Sequence, residues 1–427
     1  MPVKTSRLLM AAALVSALAG AGAASAQDKP AKLVIMSHAV HKAVITGEKG
    51  GDSSAEWRKK HGVELEFLTF GVEAVHERVY REASLPDGKV DIAFILERYS
   101  GPQVARLFED LGEYQKRDPI EDFDEISAGM REAHTQKGKL IAIPFRHATH
   151  GILYNTAYFK ERGVAGPPKT IEELLALAEK LTYVRPDGTQ VHGYVTSMDD
   201  PSGTVDLMRA FGGDFITSDF KLMVEHPGSI KAVTALRDLF KKGVLPRNMG
   251  TFKTEEVITM MQQGRAAMTN QPFGRFVNYN DPKQSKFPGQ FEVSIIPKSE
   301  ALGSGPSPAK TSVWAMAIPS NTKNKQLAWT LIKELSSKKS VIAQAINGNG
   351  PVRISAYKDD GVRKLVPYAD AEAAVLSNAR STIPGFENGQ KAMDIFMEEI
   401  QAAMLGHKEP AKAMADLRAR VEPLLPR

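Results

Sequence analysis

Two pairs of histidines share one spacing in this 427-residue chain: His38-Ala-Val-His41 and His147-Ala-Thr-His150. Neutral imidazoles are good ligands for zinc or nickel, so these are the candidates for metal chemistry. Both pairs follow strand-like runs, however, and positions i and i+3 of an extended chain point to opposite faces. Neither pair can chelate without a turn, so the expectation is polar or cleft-lining histidines, with no metal and no cofactor. Signatures of catalysis are sparse. The chain has no GxSxG, HExxH or GxxxxGK[ST] motif, and no GxGxxG follows its first strand. His76-Glu77 lacks the second histidine of a zincin, and the pairs Glu172-Glu173 and Glu398-Glu399 read as solvated helix faces. A glycosidase needs two carboxylates across a cleft, which spacing alone does not exclude but to which nothing points. With no cysteine, a thiol nucleophile, a disulfide framework, a Cys-ligated zinc and a lipidated N-terminal cysteine are all ruled out. The chemistry on offer is binding.

The elements that must position such residues read as α/β. Lys32–Met36 (KLVIM), Val63–Leu68 (VELEFL) and Val90–Leu96 (VDIAFIL) are strand candidates, separated by helical stretches ending near Gly62 and running over Glu73–Ala83. Strand alternating with helix implies a parallel sheet with crossovers. Further on, Thr170 and Glu173 form a capping box, and Ser229 is expected to cap a helix that Gly243 stops. Arg265–Thr269, Phe291–Ile296 and Val313–Ile318 are later strands, and the tail from about Gly389 is helical with a break near Gly406–Pro410. At about 150 residues per domain the length suggests two or three domains. Before all of these, Lys4 and Arg7 precede the apolar Leu8–Ala19 and the small-residue site Ala24-Ser25-Ala26. This is the pattern of a signal peptide over 1–26, cleaved before Gln27, and it predicts an exported, periplasmic protein. Without Lys4 and Arg7 the net charge of +5 becomes +3. A balance that even implies no nucleic-acid partner.

Several separated segments resemble one family, the maltose-binding-protein-like extracellular solute-binding proteins of ABC importers. The strongest stretch, around Gly138–Gly193, carries KGKLIAIPF, GILYNTAYFKERGVAGPPKTIEELLALAEKLT and DGTQVHGY. Phe211-Gly-Gly-Asp214, Ala232–Gly243, Gln263–Met268 with Asn270-Gln-Pro-Phe273, Val313–Pro319 and Gly350–Tyr357 follow in the family's order. The resemblance implies a two-lobed periplasmic binding protein fold with a ligand cleft between the lobes. It divides the chain into a first lobe of 27–146 plus 273–348 and a second of 147–272 plus 349–427. Three crossings are expected near Phe145–His150, Asn270–Phe273 and Asn347–Pro351. It also implies hinge closure on a small molecule, delivery to the transmembrane subunits of an ABC permease, and action as a monomer without catalysis.

The same resemblance places His38 and His41, after the first strand, at the cleft. Glu97-Arg98 resembles the acidic-basic pair with which the maltose-binding relative holds sugar hydroxyls, and a carboxylate beside a guanidinium fork suits vicinal hydroxyls. Strand C-terminal ends are also where open α/β sheets bind ligands. Phe273 matches a stacking aromatic at a crossing. Trp314, whose indole N–H needs a partner, is a further candidate. Arg146, His147 and His150 lie at the first crossing, where one parity faces the ligand and the sequence leaves open which. Asp199, with Asp200, and the pair Phe386 and Glu387 are candidates from the second lobe. The tryptophans that oligosaccharide-binding relatives carry after the first strand are absent here. The ligand expected is therefore a sugar, polyol or small glycoside. The cations His38, Arg98, Arg146 and His147 keep an anionic derivative (sugar acid, sulfonate or phosphate ester) as the alternative. A metal-binding receptor and a secreted glycosidase stand behind these two.

Overall fold

A computed structural model describes residues 32–426; the expected signal segment lies outside the described residues. Strands β1 (Lys32–His38), β2 (Glu64–Phe70) and β3 (Ile92–Leu96) are parallel, with β1 in the middle. Every residue of β3 is buried, because helices cover both faces of this sheet. The long β4 (Ile143–Asn155) is the element that organises the molecule. Its first half pairs antiparallel with β7 (Thr311–Ala317), which in turn lies antiparallel to β3. Its second half pairs with β5 (Met268–Pro272) on one side and β6 (Phe291–Ser294) on the other. One strand thus belongs to two sheets, and each sheet is the centre of one lobe.

The cores show where the chain changes lobe. Leu33, Phe94, Phe145, Val313, Trp329, Tyr357 and Leu376 pack together in the first lobe. Ile152, Leu174, Met268, Tyr279, Phe291, Ala309, Ile383 and Phe396 pack in the second. The first change of core lies within β4, between Phe145 and Ile152. The other two differ from the expected division. Residues 273–309 stay in the second lobe because β6 hydrogen-bonds to its half of β4, and 352–376 stay in the first because their apolar side chains pack on its core. The second crossing is therefore Ala309–Val313 and the third lies between Leu376 and Ile383. All three run side by side, with Lys310 bridging to Arg380 and Thr311 paired with Thr149.

Helix ends follow local chemistry. The Thr170 hydroxyl accepts from the Glu173 amide at 3.1 Å, and the Glu173 carboxylate accepts from Lys169 rather than from the cap itself. The helix assigned to a Ser229 cap begins earlier, at Pro227: the His226 ring accepts from Gly228, and proline suits the first turn. Gly243, at φ +70°, ends it as expected. Among the described residues no helix is long and apolar enough to cross a membrane.

Candidate functional site

The crossing strands form the floor of the cleft, and their pleat decides what faces it. Along β4 and β7 the residues alternate: Phe145, His147 and Val313 are buried, whereas Arg146, Ala148, Ser312 and Trp314 are half-buried. Arg146 stands opposite Trp314, and Ala148 opposite Ser312. Residues opposite each other in a ladder share a face, so these four form one open surface. The parity left open by the sequence is thereby fixed. Arg146 looks into the cleft, while His147 is turned inward, its ring nitrogens 2.9 Å from the Thr149 hydroxyl and 2.8 Å from Tyr357.

At the C-terminal ends of β1 and β3 a column of rings rises from this floor. Trp314 lies 4.8 Å from His41 edge-on and 5.2 Å from His76 stacked; His76 stacks on Tyr99 at 3.9 Å, and His41 on Phe94 at 4.3 Å. His38 completes the end of β1, half-buried, with its ring accepting from Val40 and its centroid 6.2 Å from Trp314. Burial pushes the imidazoles down, His76 to about 4 and His41 well below its ordinary value, so both are neutral at neutral pH. Sequence reasoning missed His76 and Tyr99. Their signal was available, since Tyr99 follows Arg98 at the end of β3, but no spacing rule connects it to His76.

Several polar nitrogens in this region have no protein partner. Both ring nitrogens of His41, Nε of Arg98 and Nη1 of Arg146 are buried without a hydrogen bond. Arg98 lies over the Tyr99 ring at 5.1 Å and 3.7 Å from the Glu73 carboxylate. Glu97 does not form an exposed fork with it. Its carboxylate is buried and accepts from the Val313 amide at 2.8 Å, locking β3 to the second crossing, and burial raises its pKa. From the second lobe Asp200 approaches Lys310, His150 and Arg98; the Lys310 charge and hydrogen bonds from Ser202, ahead of His150, hold its pKa down against the effect of burial.

Five expected site residues are committed to other contacts or to solvent. Asp199 is exposed and accepts from the Thr254 amide and hydroxyl at the start of the next helix, so Asp200 is the one turned to the cleft. Phe273 has no exposed surface: its ring fills the space beside Gly151 and lies parallel to Tyr368 at 6.0 Å. Phe386 is buried in the second-lobe core against Phe220, and Glu387 next to it points to solvent. His150 is held by Asp206, whose carboxylate lies 2.7 Å from the His150 ring and accepts from the Lys310 amide at 2.7 Å.

A cavity of about 910 Å³ opens along the floor between the lobes. Arg146, Ala148 and Tyr368 line it from one side and Pro272, Gly274 and Arg275 from the other. It is large enough for a small ligand. Among the described residues no three His, Asp or Glu side chains are grouped to hold a metal.

Comparison with known proteins agrees with this architecture. The model of the family described as bacterial extracellular solute-binding protein matches residues 54–370. A protein of Deinococcus radiodurans, named a probable ABC transporter-binding protein, is 24% identical over 421 residues, covering 96% of this chain and 97% of its own. The sn-glycerol-3-phosphate-binding periplasmic protein of Yersinia pseudotuberculosis is 26% identical over 319 residues, 69% of each chain. Among solved structures, the sugar-binding protein MalE of Xanthomonas citri superposes with a TM-score of 0.78 at 16% identity, over 92% of this chain and 97% of that one. An ABC transporter solute-binding protein of Agrobacterium radiobacter, solved with ribitol, superposes with a TM-score of 0.71 at 25% identity, over 93% and 100%.

Proposed function

The chain belongs to the bacterial extracellular solute-binding proteins, the exported receptors of ABC transporters, and from that premise we propose that it captures a small polyhydroxylated solute, a sugar, polyol or small glycoside, in the periplasm. One observation carries the reading. The half-buried indole of Trp314 stands on the cleft floor beside buried donors of Arg98 and Arg146 that have no protein acceptor. A ring face packs against C–H surfaces, while unpaired N–H groups need oxygen acceptors. A polyol or sugar presents both along one short chain. The ribitol bound by the Agrobacterium relative is of this class and size. Micromolar affinity corresponds to about −8 kcal/mol, within reach of one stacked face and a few hydroxyl pairs.

The test is a thermal-shift screen of the purified protein against pentitols, hexitols, hexoses and disaccharides. A ligand at about a hundred times its Kd stabilises by roughly 2.7 kcal/mol and raises Tm by several degrees. At least one compound of this class is expected to do so, and to reduce the radius of gyration in solution scattering. A screen in which no hydroxylated compound moves Tm would reject the reading.

A further inference from the structure

Within the cleft so read, the two arginines are not equivalent. Arg98 has acidic company, with Glu73 at 3.7 Å and Asp200 across the cleft. Arg146 has none. The neighbour that favours its charge is the hydroxyl of Tyr368, and burial works against it. Its Nη1 is buried with no acceptor, although the residue is half-buried on the floor of a cavity with room for a ligand. The other charged side chains lining that cavity do not balance it. Glu48 and Lys49 are both exposed and offset each other, and Arg275 adds positive charge. Glu372 is buried and bonded to the Tyr357 hydroxyl at 2.9 Å, with burial raising its pKa to about 8, so it is protonated at neutral pH. A desolvated guanidinium without a counter-ion is unstable unless something supplies one, and its planar fork matches two oxygens of a carboxylate.

We propose that the solute carries an anionic oxygen group, in the first place a carboxylate, held by Arg146 while Trp314 and Arg98 engage its hydroxylated portion: the ligand is a sugar acid. This rests on the polyol and sugar reading above and narrows it.

The experiment is calorimetry with matched pairs that differ only in the charged group: D-gluconate against D-glucitol, D-ribonate against ribitol, and glycerol 3-phosphate against glycerol. At least one acid is expected to bind about tenfold or more tightly than its neutral partner, with the difference shrinking as salt is raised. Arg146→Gln is expected to lower that acid-to-neutral ratio about tenfold, and Arg146→Lys, which keeps the charge but loses the fork, to lower it by less. Binding of neutral partners at least as tightly as every acid would overturn the inference and leave the polyol reading standing. An acid preference that survives both variants would remove Arg146 from it. No binding by any member would overturn both readings. Should both variants fail to fold, the wild-type ratios and their salt dependence decide.

Discussion

Trp314 is one of three tryptophans, and its indole is the one that reaches the cleft; Trp57 and Trp329 are 3% and 0% exposed. Trp57 donates its N–H to the Thr330 hydroxyl and Trp329 donates to the Asp118 carbonyl, so neither environment changes when a ligand arrives. Ligand-dependent change in tryptophan emission is therefore expected to come from Trp314. Trp314→Phe should abolish that change and leave the buried emission in place, as fluorescence titration would show. Trp314→Ala should weaken binding about tenfold, roughly 1.4 kcal/mol, because a ring face is lost from the ligand's contact surface. A variant that binds as tightly as the wild type would mean that the indole serves packing alone. Arg353, by contrast, is fully buried and serves the fold, donating to the carbonyls of Ser336, Asp122 and Glu121.

At the scale of elements, the crossing strands are tied to the second lobe through one carboxylate. Asp206, on the helix Ser202–Ala210, is fully buried and bonded to His150 of the first crossing, the Lys310 amide of the second and the Asn270 side chain. Asp206→Ala leaves these partners unpaired and is expected to cost about 3 kcal/mol, read as a lower midpoint in urea unfolding. A loss under 1 kcal/mol would show that the crossings hold their places without it. This tie is invisible in the sequence, since it joins positions far apart whose types are ordinary. What was legible followed from periodicity and punctuation: the apolar run of β3, the strand at Phe291, the stop at Gly243. The lobe boundaries were not, because Phe291–Ser294 reads equally well as a strand of either sheet and only its pairing partner decides. The same holds for Asp199 and Asp200. Adjacent residues in a loop share every sequence feature, and the helix start at Thr254 takes one and leaves the other.

Closure of the whole molecule depends on how nearly the lobes can meet. Gly385, just past the third crossing, sits so close to the first lobe that a Cβ there would lie 2.7 Å from the Glu97 carbonyl oxygen and 3.0 Å from the Gly101 amide nitrogen. Both are backbone atoms, which cannot rotate aside. Gly385→Ala is thus expected to prop the lobes apart. Affinity falls in proportion to the loss of the closed population, by about tenfold for each 1.4 kcal/mol of added strain, while the unfolding midpoint changes little. Calorimetry and solution scattering of the variant with its ligand would measure both. Unchanged affinity together with an unchanged ligand-induced contraction would count against this contact limiting closure.

The hinge also sets how stability varies with pH. Glu372, Tyr357, His147, Thr149 and Thr311 form a buried chain of hydrogen bonds linking a first-lobe helix to two crossings. The Thr149 hydroxyl donates to Thr311, and the His147 ring lies between the Thr149 and Tyr357 hydroxyls. The Tyr357 hydroxyl donates to the Glu372 carboxyl. Burial lowers His147 to about 3 and raises Glu372 to about 8. Four buried histidines have lowered values, His76 and His134 to about 4, His147 to about 3, and His41 well below 6.5. Their contribution is complete above pH 6.5 and is lost as pH falls towards 4, because the unfolded chain takes up the protons. Glu372, joined in the same sense by Glu97, contributes fully below pH 4.5 and loses its contribution as pH rises towards 8. Four histidines outweigh two carboxyls between 4.5 and 6.5, and of these groups Glu372 is the one whose value, about 8, carries its titration beyond 6.5. Tm is therefore expected to rise to a maximum near pH 6.5 and to decline towards pH 8. Glu372→Gln keeps an oxygen acceptor for the Tyr357 hydroxyl but no longer titrates, so it should flatten the alkaline side and leave the acid side in place. Calorimetric scans of both proteins from pH 4 to 9 check this, and an alkaline decline that persists undiminished in the variant would assign it to other groups.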